Sequence, residues 1–225
     1  MTRLEHAYQG AKRGRPRVTD RAVLLAHGAG ADMQAATLTT VADALSEAGI
    51  PSLRFQYPYR SAGKKAPDRP AVLFEATRAA AAELARRTKL APERIVLGGR
   101  SMGGRYCSMV AAGGMPKDVG DPVPCLGVLL LGYPLHAAGK PEKERSDHFP
   151  RLDVPVLFVS GTRDALAARR ALEQAARAVK GPHSFHWIET GDHGFKPLKS
   201  SGLTVDGVLT DVAHAATDWV QGLPG

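Results

Sequence analysis

The feature that most restricts what this sequence can fold into is a regular exchange between two periodicities. Short aliphatic or β-branched runs occur at Val23 to Ala26, Leu53 to Gln56, Arg94 to Gly98, Cys125 to Leu131, Val154 to Ser160 and Ser184 to Ile188. Between them lie longer stretches with apolar residues three and four apart, which is helical spacing. Parallel neighbours need a long crossover connection, usually a helix, so this alternation is the signature of a mainly parallel sheet, which must be covered on both faces. The pattern therefore predicts an α/β chain with a mainly parallel sheet and helices on both sides. Cys125 to Leu131 is nearly continuous in aliphatic character, as a central strand requires.

The intervening helices carry their own punctuation. Asp32 is expected to cap a helix with Met33, Thr37, Val41 and Leu45 on one face and Gly49 at its end. Pro70 suits the first turn of a helix running to Thr88. Further helices are expected over Met102 to Ala112, stopped by Gly113-Gly114, over about Ala165 to Val179, and over about Asp206 to Val220. Pro58 to Arg69 and Pro134 to Pro150 are polar and broken by Gly and Pro, so both are expected as loops, the second a short connection over the sheet rather than a lid.

At 225 residues the chain suits one domain over 19–225, preceded by a basic segment, 1–18, as edge strand or tail. A hydrophobic fraction of 44% with 23% charged residues argues against a disordered, collagenous or membrane-embedded chain. No apolar run approaches the roughly 18 residues that cross a bilayer, and the first residues lack a secretory apolar core. A cytoplasmic protein without membrane partners is the expectation. Cys107 and Cys125 are too few for a disulfide framework and form no Cys-x-x-Cys, so both are expected as buried thiols with no metal site.

The net charge of +8 would favour anionic partners. Its densest source, Lys12-Arg13-Gly14-Arg15-Pro16-Arg17, reads either as a phosphate-contacting arm or as a solvated tail or edge hairpin. No aromatic residues interleave to stack on bases, which disfavours nucleic acid.

The chemistry is concentrated in Gly99-Arg100-Ser101-Met102-Gly103, set between an aliphatic strand and a helix. A serine on a sharp strand-to-helix turn lifts its oxygen above the sheet, and flanking glycines remove side chains that would collide in the bend. The helix that follows aims its positive end where negative charge develops in acyl transfer. A phosphate loop is excluded, because no Lys-Ser or Lys-Thr follows.

A serine hydroxyl needs a base, and the base needs an orienting acid. Asp164, in Gly161-Thr162-Arg163-Asp164, follows one strand, and His193, in Asp192-His193-Gly194-Phe195, follows the last. The order Ser101, Asp164, His193 is that of a nucleophile, acid and base on this architecture. Asp164 as a helix cap, His193 as a surface histidine and Asp192 as the acid remain open alternatives. His183 and His186, three apart on a strand, point to opposite faces and make a poor metal pair. The small-residue loop His27-Gly28-Ala29-Gly30 follows the first strand, so the Ala29 amide, with that of Met102, is the expected oxyanion hole. Met33 stands where a dinucleotide fingerprint needs its third glycine.

Together the His-Gly-Ala-Gly loop, the Gly-Gly-Arg-Ser-Met-Gly-Gly-Arg elbow, the Gly-Thr-Arg-Asp turn and the Asp-His-Gly-Phe turn resemble the α/β-hydrolase superfamily. More narrowly they look like its short, lidless branch related to dienelactone hydrolases and testis-expressed hydrolase-like proteins. The resemblance covers roughly residues 20–222. It implies a single-domain fold with a minimal cap and a cofactor-free, esterase-like serine hydrolase. Catalysis would rest on Ser101, His193 and Asp164, with Ala29 and Met102 at the oxyanion. Dienelactone hydrolases typically carry a cysteine nucleophile, so Ser101 argues against that particular activity. A catalytically silent scaffold is the alternative. Arg54, Arg60, Arg100 and Arg105 are expected near the same sheet end, and an anionic acyl substrate and structural arginines are both open readings of them.

Overall fold

Among the described residues, seven strands form one sheet in the order β1-β3-β2-β4-β5-β6-β7. The computed structural model describes residues 4–114 and 119–224; Met1 to Arg3 of the expected N-terminal segment lie outside the described residues. The strands are β1 (His6–Gln9), β2 (Ala22–Ala26), β3 (Ser52–Phe55), β4 (Ile95–Arg100), β5 (Gly127–Leu131), β6 (Val156–Gly161) and β7 (His183–Ile188). Every neighbouring pair is parallel except β1 with β3.

The inner strands are buried on both faces, which is why they read as unbroken aliphatic runs rather than alternating ones. On one face Leu24, Leu97, Val128 and Leu130 meet α3 (Pro70–Thr88) and α4 (Met102–Ala112) through Leu73, Phe74, Tyr106 and Val110. On the other, Val23, Leu25, Val96 and Leu129 meet α1 (Ala36–Glu47) and α6 (Val205–Gly222) through Leu38, Val41, Val212 and Ala216. Each wholly buried Leu or Val contributes roughly 1.5–3 kcal/mol, so the two layers fix the sheet independently of any surface contact.

Several expected boundaries move. Asp32 caps no helix: α1 begins four residues later, at Ala36, behind Ala35. The Asp32 carboxylate accepts instead from the Gln34 N–H at 2.8 Å, a local turn that competes with helix nucleation. Met33 consequently lies outside the helix, its N–H donating to Gln56 Oε1 at 3.0 Å. The expected loop from Pro58 contains a single helical turn, α2 (Pro58–Ser61). The helix expected over Ala165 to Val179 is confined to α5 (Arg169–Ala176) because Asp164 to Ala168 forms turns.

The basic run does not trail away. Lys12 and Arg15 both pair with Glu47 at the end of α1, the latter at 3.5 Å, and the Lys12 N–H donates to the Ser46 carbonyl at 2.9 Å. It bridges β1 to the sheet body as a laid-down connection. Cys107 and Cys125 are free and buried, as expected, and burial raises both thiols, Cys125 to about 12. Among the described residues no helix is long and apolar enough to cross a membrane.

Candidate active site

The C-terminal ends of β2, β4, β6 and β7 deliver the candidate residues to one edge of the sheet. The tightest local constraint is at Ser101, whose backbone sits at φ 50° and ψ −117°, a region that costs a non-glycine residue roughly 1–3 kcal/mol. The bend is possible only because its neighbours lack side chains. A Cβ on Gly103 would lie 2.3 Å from the Ala26 carbonyl oxygen, and one on Gly99 would lie 2.5 Å from the same atom. The Ser101 N–H donates to the Leu131 carbonyl at 2.9 Å, tying the elbow to β5.

Ser101 Oγ lies 2.9 Å from His193 Nε2, and His193 Nδ1 lies 2.8 Å from Asp164 Oδ2. A carboxylate only accepts, so the Nδ1 proton points at Asp164 and Nε2 is left to accept from the serine hydroxyl. Asp164 is 3% exposed. Its other oxygen accepts from the Leu166 N–H at 2.8 Å, a turn rather than a helix cap, since α5 starts five residues after Asp164. The loops carrying acid and base are laced together, with the Arg163 N–H donating to the Gly191 carbonyl at 2.9 Å and that of Thr162 to the Ile188 carbonyl at 3.0 Å. Asp192 is occupied otherwise: its Oδ1 accepts from the Gly194 and Lys196 N–H groups at 2.7 and 2.9 Å, which shapes the turn that presents His193.

Ala29 and Met102 line a cavity of about 430 Å³ together with Ser101. Met102 opens α4, so its N–H belongs to the first turn, which has no partner inside the helix. The Ala29 loop is pinned from behind by residues the sequence did not single out for this. His27 is fully buried, and burial lowers its pKa, keeping the ring neutral. Its Nε2 accepts from the Tyr57 N–H at 3.1 Å, leaving the Nδ1 proton for the Gly28 carbonyl at 2.8 Å. The Tyr59 hydroxyl donates to the Ala29 carbonyl at 2.7 Å. With both carbonyls held on the protein side, the peptide planes of the loop cannot turn freely. The signal available was the Tyr57-x-Tyr59 pair just beyond β3.

The four arginines expected at this end separate into two groups. Arg54 donates to the Met33 carbonyl and to Gln34 Oε1, and Arg60 pairs with Asp32 at 4.0 Å. Arg100 donates to the Leu131, Gly132 and His193 carbonyls and lies over the Phe195 ring at 5.0 Å. Burial lowers its pKa to about 10, which leaves it charged at neutral pH. Of the four, only Arg105 borders the cavity beside Ser101. The connection Pro134 to Pro150 forms the opposite wall with Pro134, His136, Ala137, Ala138 and Arg145. Among the described residues no cluster of metal-binding side chains occurs.

Residues 19–221 match the model of an alpha/beta hydrolase domain family. Solved structures similar to this chain include an alpha-beta serine hydrolase homologue from Coxiella burnetii, with a TM-score of 0.71 at 18% identity over 96% of this chain and 90% of that one. A dienelactone hydrolase from Anabaena variabilis superposes with a TM-score of 0.68 at 19% identity over 99% of both chains. A serine hydrolase without a lid from Xanthomonas campestris gives 0.64 at 19% identity, over 99% of this chain and 90% of that one.

Proposed function

Because this chain belongs to the alpha/beta hydrolase domain family, we propose that it hydrolyses small carboxylic esters through an acyl-enzyme on Ser101. The observation that carries this is the continuous relay from Ser101 Oγ through His193 to Asp164, with contacts of 2.9 and 2.8 Å at the mouth of a cavity. Dienelactone and lidless serine hydrolase neighbours support the fold on which such a relay operates.

In the first half-reaction Ser101 Oγ attacks the ester carbonyl carbon while its proton passes to His193 Nε2. Negative charge moves to the carbonyl oxygen, facing the N–H groups of Ala29 and Met102. Collapse breaks the bond to the leaving oxygen, which takes the proton from His193. In the second half-reaction water gives its proton to His193 and its oxygen to the acyl carbon, and Ser101 leaves with the returned proton. Asp164 keeps the imidazole in one tautomer throughout and stabilises its cationic form. The cavity is open to solvent and modest in size, which suits short acyl groups.

Hydrolysis of 4-nitrophenyl acetate and butyrate by wild type and Ser101→Ala tests the proposal. Turnover that disappears with the hydroxyl supports it; turnover undiminished in Ser101→Ala contradicts it.

A further inference from the structure

Two arginines, Arg105 and Arg145, border the cavity, and neither has a carboxylate partner among the described residues. Arg105 lies on α4 one turn beyond Ser101, its N–H donating to the Ser101 carbonyl at 3.0 Å, so the two side chains leave the helix on the same face. Its Nε is buried and has no hydrogen-bond partner among the described residues, while the rest of the guanidinium is hydrogen-bonded to the hydroxyls of Tyr106 and Tyr133, which are neutral groups. The ring of Tyr106 lies beneath the guanidinium at 5.8 Å, orienting the plane rather than neutralising the charge.

Arg145 comes from the connection that walls the other side. Its backbone is fixed at both ends: its N–H donates to the Leu135 carbonyl at 2.7 Å, and its carbonyl accepts from the buried Tyr133 hydroxyl. The side chain is thus placed over the cavity by an anchored loop. Arg105 and Arg145 are near enough to repel one another, and together with burial this lowers Arg145. Two like charges beside one cavity repel one another, and an anion placed between them relieves that repulsion. Asp68 also borders the cavity, on the side of Tyr59 and the Ala29 loop, so an acidic ligand is repelled there and drawn toward the arginines.

We propose that Arg105 and Arg145 form a carboxylate-binding pole beside Ser101, and that the chain prefers half-esters of short dicarboxylic acids, whose free carboxylate sits between the two guanidinium groups. The fork of an arginine matches a planar carboxylate, and the i, i+4 register of Ser101 and Arg105 keeps the carboxylate a few bonds from the reacting carbonyl. This rests on Ser101 being the reacting group.

The test compares kcat/KM for mono-4-nitrophenyl glutarate and 4-nitrophenyl butyrate in wild type, Arg105→Met and Arg145→Met. The charged-to-neutral ratio should fall roughly 10- to 100-fold in each variant, with Arg105→Lys keeping part of it. Wild-type ratios near one, or equal proportional losses for both esters, would overturn the proposal while leaving the hydrolase intact. A second arm is independent of turnover. Ser101→Ala protein is titrated calorimetrically with monomethyl glutarate, and saturable binding that vanishes when Arg105→Met is added supports the pole. Absence of saturable binding overturns it. Binding without any hydrolysis by wild type would instead count against Ser101 as nucleophile.

Discussion

Arg100 and Arg105 flank the same serine and are put to opposite uses. Arg100, on the β4 side, is half-buried and hydrogen-bonded to three backbone carbonyls, one of them that of His193. Arg105, on the α4 side, borders the cavity with a buried Nε that lacks a partner among the described residues. The difference divides the site. Around β4, β6 and β7 the groups that hold Ser101, Asp164 and His193 are tied to backbone, and Gly99, Gly103 and Gly161 leave no room for a Cβ; toward α4 and the Pro134 to Pro150 connection, two arginines border the cavity. The first half sets the position of the proposed chemistry, and the second sets what can approach it.

If the committed half has no slack, Gly103→Ala should have the largest effect. A methyl group 2.3 Å from the Ala26 carbonyl oxygen cannot be accommodated without moving β2 from the elbow, and we expect a loss of about 3 kcal/mol or more in urea unfolding. A loss under 1 kcal/mol would show that the elbow yields.

Arg100→Met should come next. Removing charge-assisted donors from three carbonyls costs roughly 1–3 kcal/mol of stability and frees the His193 loop. Because Arg100 would act as a positioning residue, kcat should fall by a similar factor for charged and neutral esters with KM little changed. A selective loss for charged esters would erase the distinction between the two arginines.

A subtler effect concerns pH. His148, under the recognition half, is buried, hydrogen-bonded to Ser108 at 2.8 Å, and lowered by burial and by Arg105 and Arg151 from 6.5 to about 3. In the unfolded chain it protonates near its ordinary value, whereas in the fold it stays neutral. As pH falls below 6.5 the unfolded state alone binds the proton, so stability declines, by about 2 kcal/mol at pH 5. His27, also lowered by burial, acts in the same direction. Unfolding free energies at pH 7.5 and 5 should differ less in His148→Gln than in wild type; equal differences would show that His148 is not held neutral.

The smallest effect on stability should come from Arg145→Met, within about 0.5 kcal/mol, since its backbone, not its charge, is what the fold uses.

What the sequence disclosed follows the same division. The central strands were legible because burial on both faces leaves an aliphatic run that no loop resembles, and α3, α4 and α6 because their periodicity and Pro or Gly boundaries are local. The short antiparallel strand β1 was legible only as one of two readings of 1–18, edge strand or tail, since His6–Gln9 is partly exposed and is specified by pairing with β3 across the sheet. Asp32 misled because its carboxylate satisfies a local turn as well as it would a helix end. At the site, Ser101, Asp164 and His193 stood out by motif and order, and the structure brings them within hydrogen-bond distance. Arg145 left no signal, because its place at the cavity is set by long-range contacts of a loop with Leu135 and Tyr133. Arg54, Arg60 and Arg100 looked equivalent to Arg105 in sequence and differ only in the carbonyls and carboxylates that the fold sets beside them.

Activation of Ser101 by His193 is read out by treating purified protein with a fluorophosphonate probe and locating the adduct by peptide mass spectrometry. One adduct is expected, on Ser101, forming much more slowly in a folded His193→Ala variant. Labelling at Ser101 that is unchanged in that variant, or no labelling of folded wild type, would contradict it.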